Sequence, residues 1–251
     1  MKLSIIIPTF NEEDYLPLLL ESIKKQTHQN FSSKNLSWQD FKDYEIIVAD
    51  NNSEDKTVEI AKSYGCKVVE GGLPPKGRNE GAKIAKGDLF LFLDADVILP
   101  NGSLKKFLKE LQERKLDIAS CFVKPITQNF ILVILYNIFY NFSILFLEKI
   151  RPSAMDFILI KRNLHEKIGG FNELIKFGED IDYLVRSSKS GKFSLLKSAK
   201  ILVSLRRFQQ DGWLRTFLKY IFAHFHLIFI GKIKSDILKY KFGHYSQNKK
   251  N

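Results

Sequence analysis

The chain has 251 residues, 45% of them hydrophobic, enough for one large domain or two small ones around a substantial core. Two cysteines, Cys66 and Cys121, lie in apolar stretches without metal-ligand spacing, which argues against a disulfide-stapled scaffold or a zinc site and for reduced core residues on the cytosolic side. The net charge of +11 is uneven: Arg186 to Asn251 holds 15 basic and 2 acidic residues, or +13, so this end points to polyanionic company such as diphosphates, anionic lipid headgroups or nucleic acid.

In chain order, Lys2 to Ile7 reads as a buried strand ended by Pro8. Asn11 is expected to cap a helix through about Gln26, with Glu12, Glu13 and Asp14 in its first turn. His28 to Asp43 reads as a polar loop. Tyr44 to Ala49 is a second strand ending at Asp50, and Ser53 or Glu54 starts a helix to about Tyr64. Cys66 to Val69 is a third strand. The glycines and prolines of Gly71 to Gly77 predict a loop, and Arg78 to Ala85 a helix. The next strand, Leu89 to Leu93, is wholly apolar and runs into Asp94-Ala95-Asp96. This β-α-β-α-β order predicts an α/β fold with a mostly parallel central sheet flanked by helices. No internal repeat, low-complexity tract or secretory signal is expected; the apolar run at Ile5 is too short for a signal.

Side chains alternate along a strand, so Asp94 and Asp96 are expected on one side. Two carboxylates at a strand end are costly without a cation. A hard divalent ion, Mg²⁺ or Mn²⁺, suits oxygen donors and typically takes one or two carboxylates plus substrate phosphates. The plainer reading is a solvated strand end. Ligands of open α/β sheets collect outside the carboxyl ends of the strands. Three such ends carry polar chemistry here: Thr9 with Asn11, Asp50, and Asp94 with Asp96.

Beyond them, Pro100 to Glu113 is an amphipathic helix and Leu116 to Val123 a strand. Ile126 to Leu147 then holds no charged residue. Its core, Phe130 to Leu147, is 18 residues, about 27 Å as a helix and at the lower edge of a membrane span. Plain core and a surface dipping into a bilayer interface are both open. Met155 to Ile160 is a strand, Asn163 to Ile168 a short helix, and Gly178-Glu179-Asp180 leads into a helix through Ser190. Lys192 to Leu196 and Lys200 to Ser204 are expected as short edge strands. Trp213 to Ile230 is expected as an aromatic-rich helix; its His224 and His226, two apart, do not share a face and make no metal pair.

Four ordered stretches now resemble glycosyltransferase family 2, whose members have the GT-A nucleotide-diphospho-sugar transferase fold. They are Ile5 to Glu12; Ile47 to Thr57; Gly77-Arg78-Asn79-Glu80-Gly81 followed by Gly87-Asp88 and the D-x-D; and Gly169-Gly170-Phe171-Asn172-Glu173 followed by Gly178-Glu179-Asp180-Ile181-Asp182 and Arg186. The resemblance implies that Pro8, Thr9, Glu12 and Ser53 belong to the nucleotide pocket and that Asp50 accepts from the base. It implies Arg78 and Asn79 toward the donor, Asp94 near ribose and sugar, and Asp96 on a divalent metal, Mg²⁺ or Mn²⁺. Asp180 is then the base that deprotonates the acceptor, with Glu179 orienting it. Arg206 and Arg207 could reach a diphosphate or lipid phosphate. The processive members carry Q-x-x-R-W; here Gln210-Asp211-Gly212-Trp213 lacks the arginine, which favours transfer of a single sugar.

The organisation expected is a GT-A domain over 1–205, with a nucleotide-sugar half (1–98) and an acceptor half (99–205), then a basic helical extension over 206–251. The activity expected is inverting, metal-dependent transfer from a UDP- or GDP-type sugar to a lipid-linked or cell-envelope acceptor. The expected setting is cytoplasmic and peripheral to the membrane, without nucleic acid. A noncatalytic nucleotide-sugar-binding protein is the alternative. A sugar nucleotidyltransferase is disfavoured, because Pro8-Thr9-Phe10-Asn11-Glu12 stands where those enzymes carry a glycine-rich loop.

Overall fold

The computed structural model describes residues 2–26, 44–149, 151–153, 156–213, 215, 216, 218, 219, 222 and 233. The predicted loop over 28–43 and most of the predicted helix over 213–230, with the tail beyond, lie outside the described residues.

Eight strands form one sheet in the order β3-β2-β1-β4-β7-β6-β8-β5. They are β1 (Leu3–Thr9), β2 (Tyr44–Asp50), β3 (Lys67–Glu70), β4 (Leu89–Leu93), β5 (Val97–Ile98), β6 (Ile118–Pro125), β7 (Phe157–Lys161) and β8 (Phe193–Val203). The first four run parallel to one another. β7 is antiparallel to both β4 and β6, β8 returns parallel to β6, and β5 pairs antiparallel with β8 at the edge. The helices are α1 (Leu16–Lys24), α2 (Thr57–Ser63), α3 (Pro74–Ile84), α4 (Ser103–Glu113), α5 (Phe130–Tyr136), α6 (Phe142–Leu147), α7 (Arg162–Lys167), α8 (Glu179–Ser188) and α9 (Arg206–Asp211).

β4 is central and buried on both faces, as its five apolar residues require. Leu89, Leu91 and Leu93 join one core with α1 and α4. Phe90 and Phe92 join the other, with Phe171 and with Tyr183 of α8. In α1, Leu16, Leu19, Leu20 and Ile23 are buried at helical spacing. Each contributes about 1.5–3 kcal/mol over exposure. Cys66 and Cys121 are free and buried, as expected.

Four expectations about elements need correction. Helix α1 starts at Leu16, not at Asn11, with Pro17 in its first turn. Asn11 instead takes a left-handed φ of 55° and its side chain accepts from Glu54 N at 2.9 Å. Helix α3 starts at Pro74, inside the predicted loop, again with proline at the first turn. Its glycines mark close packing rather than a turn: a Cβ at Gly77 would stand 3.2 Å from Pro8 Cβ, and one at Gly81 would run into the buried Ile6 side chain. β8 is one strand rather than two edge strands. It passes a register shift because Glu110 accepts from Lys197 N and Ser198 N, and β5, too short to predict, covers its outer side.

The fourth correction concerns the uncharged stretch. α5, a π-helical turn over Asn137–Asn141 and α6 form one continuous helix, and of its residues only Asn141 and Ile144 are buried. The plain-core reading fails. Beyond Ala119, β6 is no longer paired with β7. The Asn141 amide fills that open edge, accepting from Val123 N at 3.1 Å and donating to Val123 O at 2.8 Å.

Gly81→Ala is expected to lower stability by about 1–3 kcal/mol. Overpacking against branched Ile6 outweighs the ~1 kcal/mol gained in helix propensity. A thermal melt at least as high as wild type would show that α3 can back away from β1.

Candidate functional site

A cavity of about 200 Å³ opens at the carboxyl ends of β1 and β4. Pro8, Thr9 and Glu12 reach it from the end of β1, Arg78 from α3, Asp94 and Asp96 from the end of β4, Glu179 and Asp180 from the first turn of α8, and Arg206 and Arg207 from α9. Ten of the residues singled out in the sequence therefore share one cavity. Asp50, Ser53 and Asn79 stand behind it.

Two buried arginines organise the walls. Arg78 Nη1 donates to Glu179 Oε1 and Nη2 to Asp94 Oδ1, both at 2.7 Å. One guanidinium thus joins the D-x-D to the acidic pair of α8, far apart in sequence. A membrane span between them is excluded, because both ends meet on the same side chain. Arg206 grips Glu12 with two bonds of 2.6 Å, and its Nε lies 3.0 Å from Asp96 Oδ2. Fork-to-carboxylate geometry of this kind is the strong form of the charged hydrogen bond. Burial pushes the Glu12 carboxyl up to about 7 against the pull of Arg206. Burial alone would lower the pKa of Arg78, but Asp94, Glu179 and Asp180 raise it, so the guanidinium stays charged.

Asp180 is partly open to the cavity, yet enough protein surrounds its carboxyl that burial, then the charge of Glu179, push it up to about 8 while Arg78 pulls down. Its Oδ1 accepts from Ile181 N at 2.8 Å. Gly178, at a φ of 74°, turns the chain into α8, so both acids also sit where a helix N-terminus favours negative charge.

Asp50 is 6% exposed. It accepts from Thr9 Oγ1 at 2.9 Å, Ser53 N at 2.8 Å and Ser53 Oγ at 2.6 Å, while its neighbour Asn51 contributes to the cavity wall. Asn79 holds α3 against the glycine turn that follows α7. It donates to Phe171 O at 2.9 Å and accepts from Phe171 N at 2.8 Å.

Several cavity residues escaped the sequence reading. Asp156 lines the cavity at the start of β7 with a left-handed φ of 63°. Burial, then the charges of Asp94 and Asp96, raise its pKa well above the carboxylate range. A lone Asp before an apolar strand carries no local signal; only the antiparallel pairing of Leu93 with Phe157 brings it beside the D-x-D. Tyr136 and Phe208 wall another side, and Lys176 and Phe177 stand at the rim beside Ile233.

The donor set suits a divalent ion in one respect. Asp94, Asp96 and Asp156 crowd hard oxygens together, and burial, then the charges of Asp94 and Asp96, disfavour the ionised form of Asp156. Among the described residues no group of three His, Cys, Asp or Glu side chains forms a ready-made cage. An ion such as Mg²⁺ is typically held by one or two carboxylates and completes its shell with substrate phosphates.

A poly(ribitol-phosphate) beta-glucosyltransferase of Bacillus spizizenii is 33% identical over 127 residues, 47% of this chain but only 18% of that protein. The chain therefore matches a small part of that relative's length. Among solved structures, a mannosyltransferase of Pyrobaculum calidifontis in complex with GDP-Man and Mn²⁺ superposes with a TM-score of 0.69 at 18% identity, covering 95% of this chain and 68% of that one. S. aureus TarS 1-349 in complex with UDP-GlcNAc gives 0.63 at 21% identity, covering 90% and 67%. These likenesses show the GT-A fold. The model of glycosyl transferase family 2 matches residues 4–172, which takes in the D-x-D, the Arg78 helix and the glycine turn at Gly169, and the chain belongs to that family.

Proposed function

We propose that the chain is an inverting glycosyltransferase that moves one sugar from a nucleotide-diphosphate donor, of UDP or GDP type, to an acceptor hydroxyl or phosphate. The observation that carries this reading is the pair of ion pairs on Arg78, which sets the D-x-D and the Glu179–Asp180 pair on facing walls of one cavity.

The nucleotide lies along Pro8, Thr9 and Glu12. Asp50 keeps one acceptor site on Oδ2 for an N–H of the base, since Thr9 and Ser53 occupy the others. Ser53 orients that carboxylate. Asn79 fixes the acceptor-side turn to α3. Asp96, with Asp94 and Asp156 beside it, would hold a divalent cation, Mg²⁺ or Mn²⁺. A cation there supplies Lewis-acid stabilisation of the leaving diphosphate. Arg206, held by Glu12 and Asp96, and Arg207 line the cavity and supply positive charge for the diphosphate. Asp180 takes the acceptor proton on the opposite face, and Glu179, fixed by Arg78, orients the pair.

The acceptor belongs to a lipid-linked or cell-envelope glycan, and the chain works peripherally at the cytoplasmic face of the membrane. Support comes from the exposed apolar helix over 130–147, and from the poly(ribitol-phosphate) relative for an envelope polymer. Single-sugar transfer is favoured by the missing arginine before Trp213.

Sugar release from a panel of UDP- and GDP-sugars, with Mn²⁺ and with EDTA, tests the reading. We expect metal-dependent release from one donor class. Asp96→Ala should weaken Mn²⁺-dependent nucleotide binding at least tenfold in calorimetry. Nucleotide binding without sugar release from any donor, even with acceptor extracts, would instead mark a noncatalytic binder.

A further inference from the structure

We infer that the outer face of the helix over 130–147 is a docking surface for an anionic lipid bilayer, and that the helix lies in the plane of the membrane interface. This rests on the proposed function and names the surface that would bring an acceptor in the membrane to the cavity.

The helix is apolar on the side that should be polar. Phe130 is 73% exposed, Ile131 66%, Phe142 63% and Phe146 68%. Phe130, Ile134, Ile138, Phe142 and Phe146 follow four-residue steps along the helix. A contiguous apolar face of this length marks an interaction site, since soluble monomers rarely expose one. The inner side is fixed to the protein. Asn141 fills the open edge of β6 at Val123, and Tyr136 and Tyr140 pack against the core. A helix held to the protein at Tyr136, Tyr140 and Asn141 cannot stand across a bilayer. It can only lie on one.

Charge chooses the occupant. Cations flank the helix in sequence: Lys124 on one side, Lys149 and Arg151 on the other. The region from Arg186 onward holds 15 basic residues against 2 acidic. A second copy of the chain on this face would bring like charges together at the rim. An anionic headgroup layer offers the complement, with acyl chains for the phenylalanines.

Position supplies the link to chemistry. Tyr136, on this helix, also lines the cavity, and its ring centroid lies 6.1 Å from that of Phe208 on α9. Arg207 lines the same side. An acceptor whose lipid stays in the bilayer therefore meets the cavity at the membrane plane.

The test is flotation of the full chain with phosphatidylcholine vesicles, with and without phosphatidylglycerol, at low and high salt. We expect binding to the anionic vesicles, weakened by salt. The double variant Phe130→Asp with Phe142→Gln should bind at least tenfold more weakly, with its melt and its hydrolysis of soluble donor unchanged. Failure of wild type to float with anionic vesicles at low salt overturns the inference, as does equal binding by the double variant. So does a concentration-dependent dimer in sedimentation that the double variant abolishes and vesicles do not dissociate. Donor hydrolysis separates the two readings: hydrolysis without vesicle binding overturns only the docking surface, and vesicle binding without hydrolysis or transfer overturns only the proposed reaction.

Discussion

Asp180→Asn is expected to cut sugar transfer by about 10²- to 10⁴-fold while donor affinity stays within a few fold. Direct displacement at the anomeric carbon needs a base on the acceptor side, and the amide cannot take a proton. The substitution keeps size and one acceptor oxygen, so Ile181 N retains its partner. Burial, with Glu179 beside it, holds the wild-type carboxyl up to about 8. A base must be ionised to act, so wild-type kcat/KM should climb with pH, pass half its plateau near pH 8 and level off only above it. In the variant that limb should be lost. Steady-state transfer across pH, with nucleotide binding by competition, checks both halves. Transfer above a tenth of wild type, with the same acid limb, would remove Asp180 from the role.

Much of this arrangement is legible without coordinates because its signals are local. An uninterrupted apolar run such as Leu89 to Leu93 demands burial on both faces, which β4 has. The β-α-β order follows from periodicity, and the carboxylates at strand ends point to the cavity edge. What stayed hidden depends on partners distant in sequence. Asp156 joins the D-x-D only through antiparallel pairing of β7 with β4. Arg206 looked free for a phosphate; only the fold brings it to Glu12 across 194 positions. Gly77 signalled a loop because local rules price glycine in a helix, whereas close approach of α3 to β1 needs it. The uncharged helix over 130–147 showed its length and polarity. Which face stays bare depended on one asparagine meeting the open edge of β6.

Arg78→Ala carries the second large effect, because it touches both stability and the site. Its guanidinium is 6% exposed and holds two carboxylates at 2.7 Å, one of them at 36% exposure and the other at 13%. Removing it leaves Asp94, Glu179 and Asp180 facing one another without their shared cation. Breaking a buried pair by deleting one partner costs about 3–5 kcal/mol. Water in the cavity screens the Asp94 end, so about 3 kcal/mol is expected here. Arg78→Lys keeps a charge but not the fork, and one ammonium cannot hold both carboxylates in the same geometry. It should recover most of the stability and little of the activity. Repulsion among the freed carboxylates grows as they ionise, so the alanine variant should lose more stability at pH 8 than at pH 6. If instead alanine melts within 1 °C of wild type at both pH values, the two walls are not joined through this side chain. Donor turnover by the lysine variant at the wild-type rate would show that the bridge between Asp94 and Glu179 organises the fold and not the reaction.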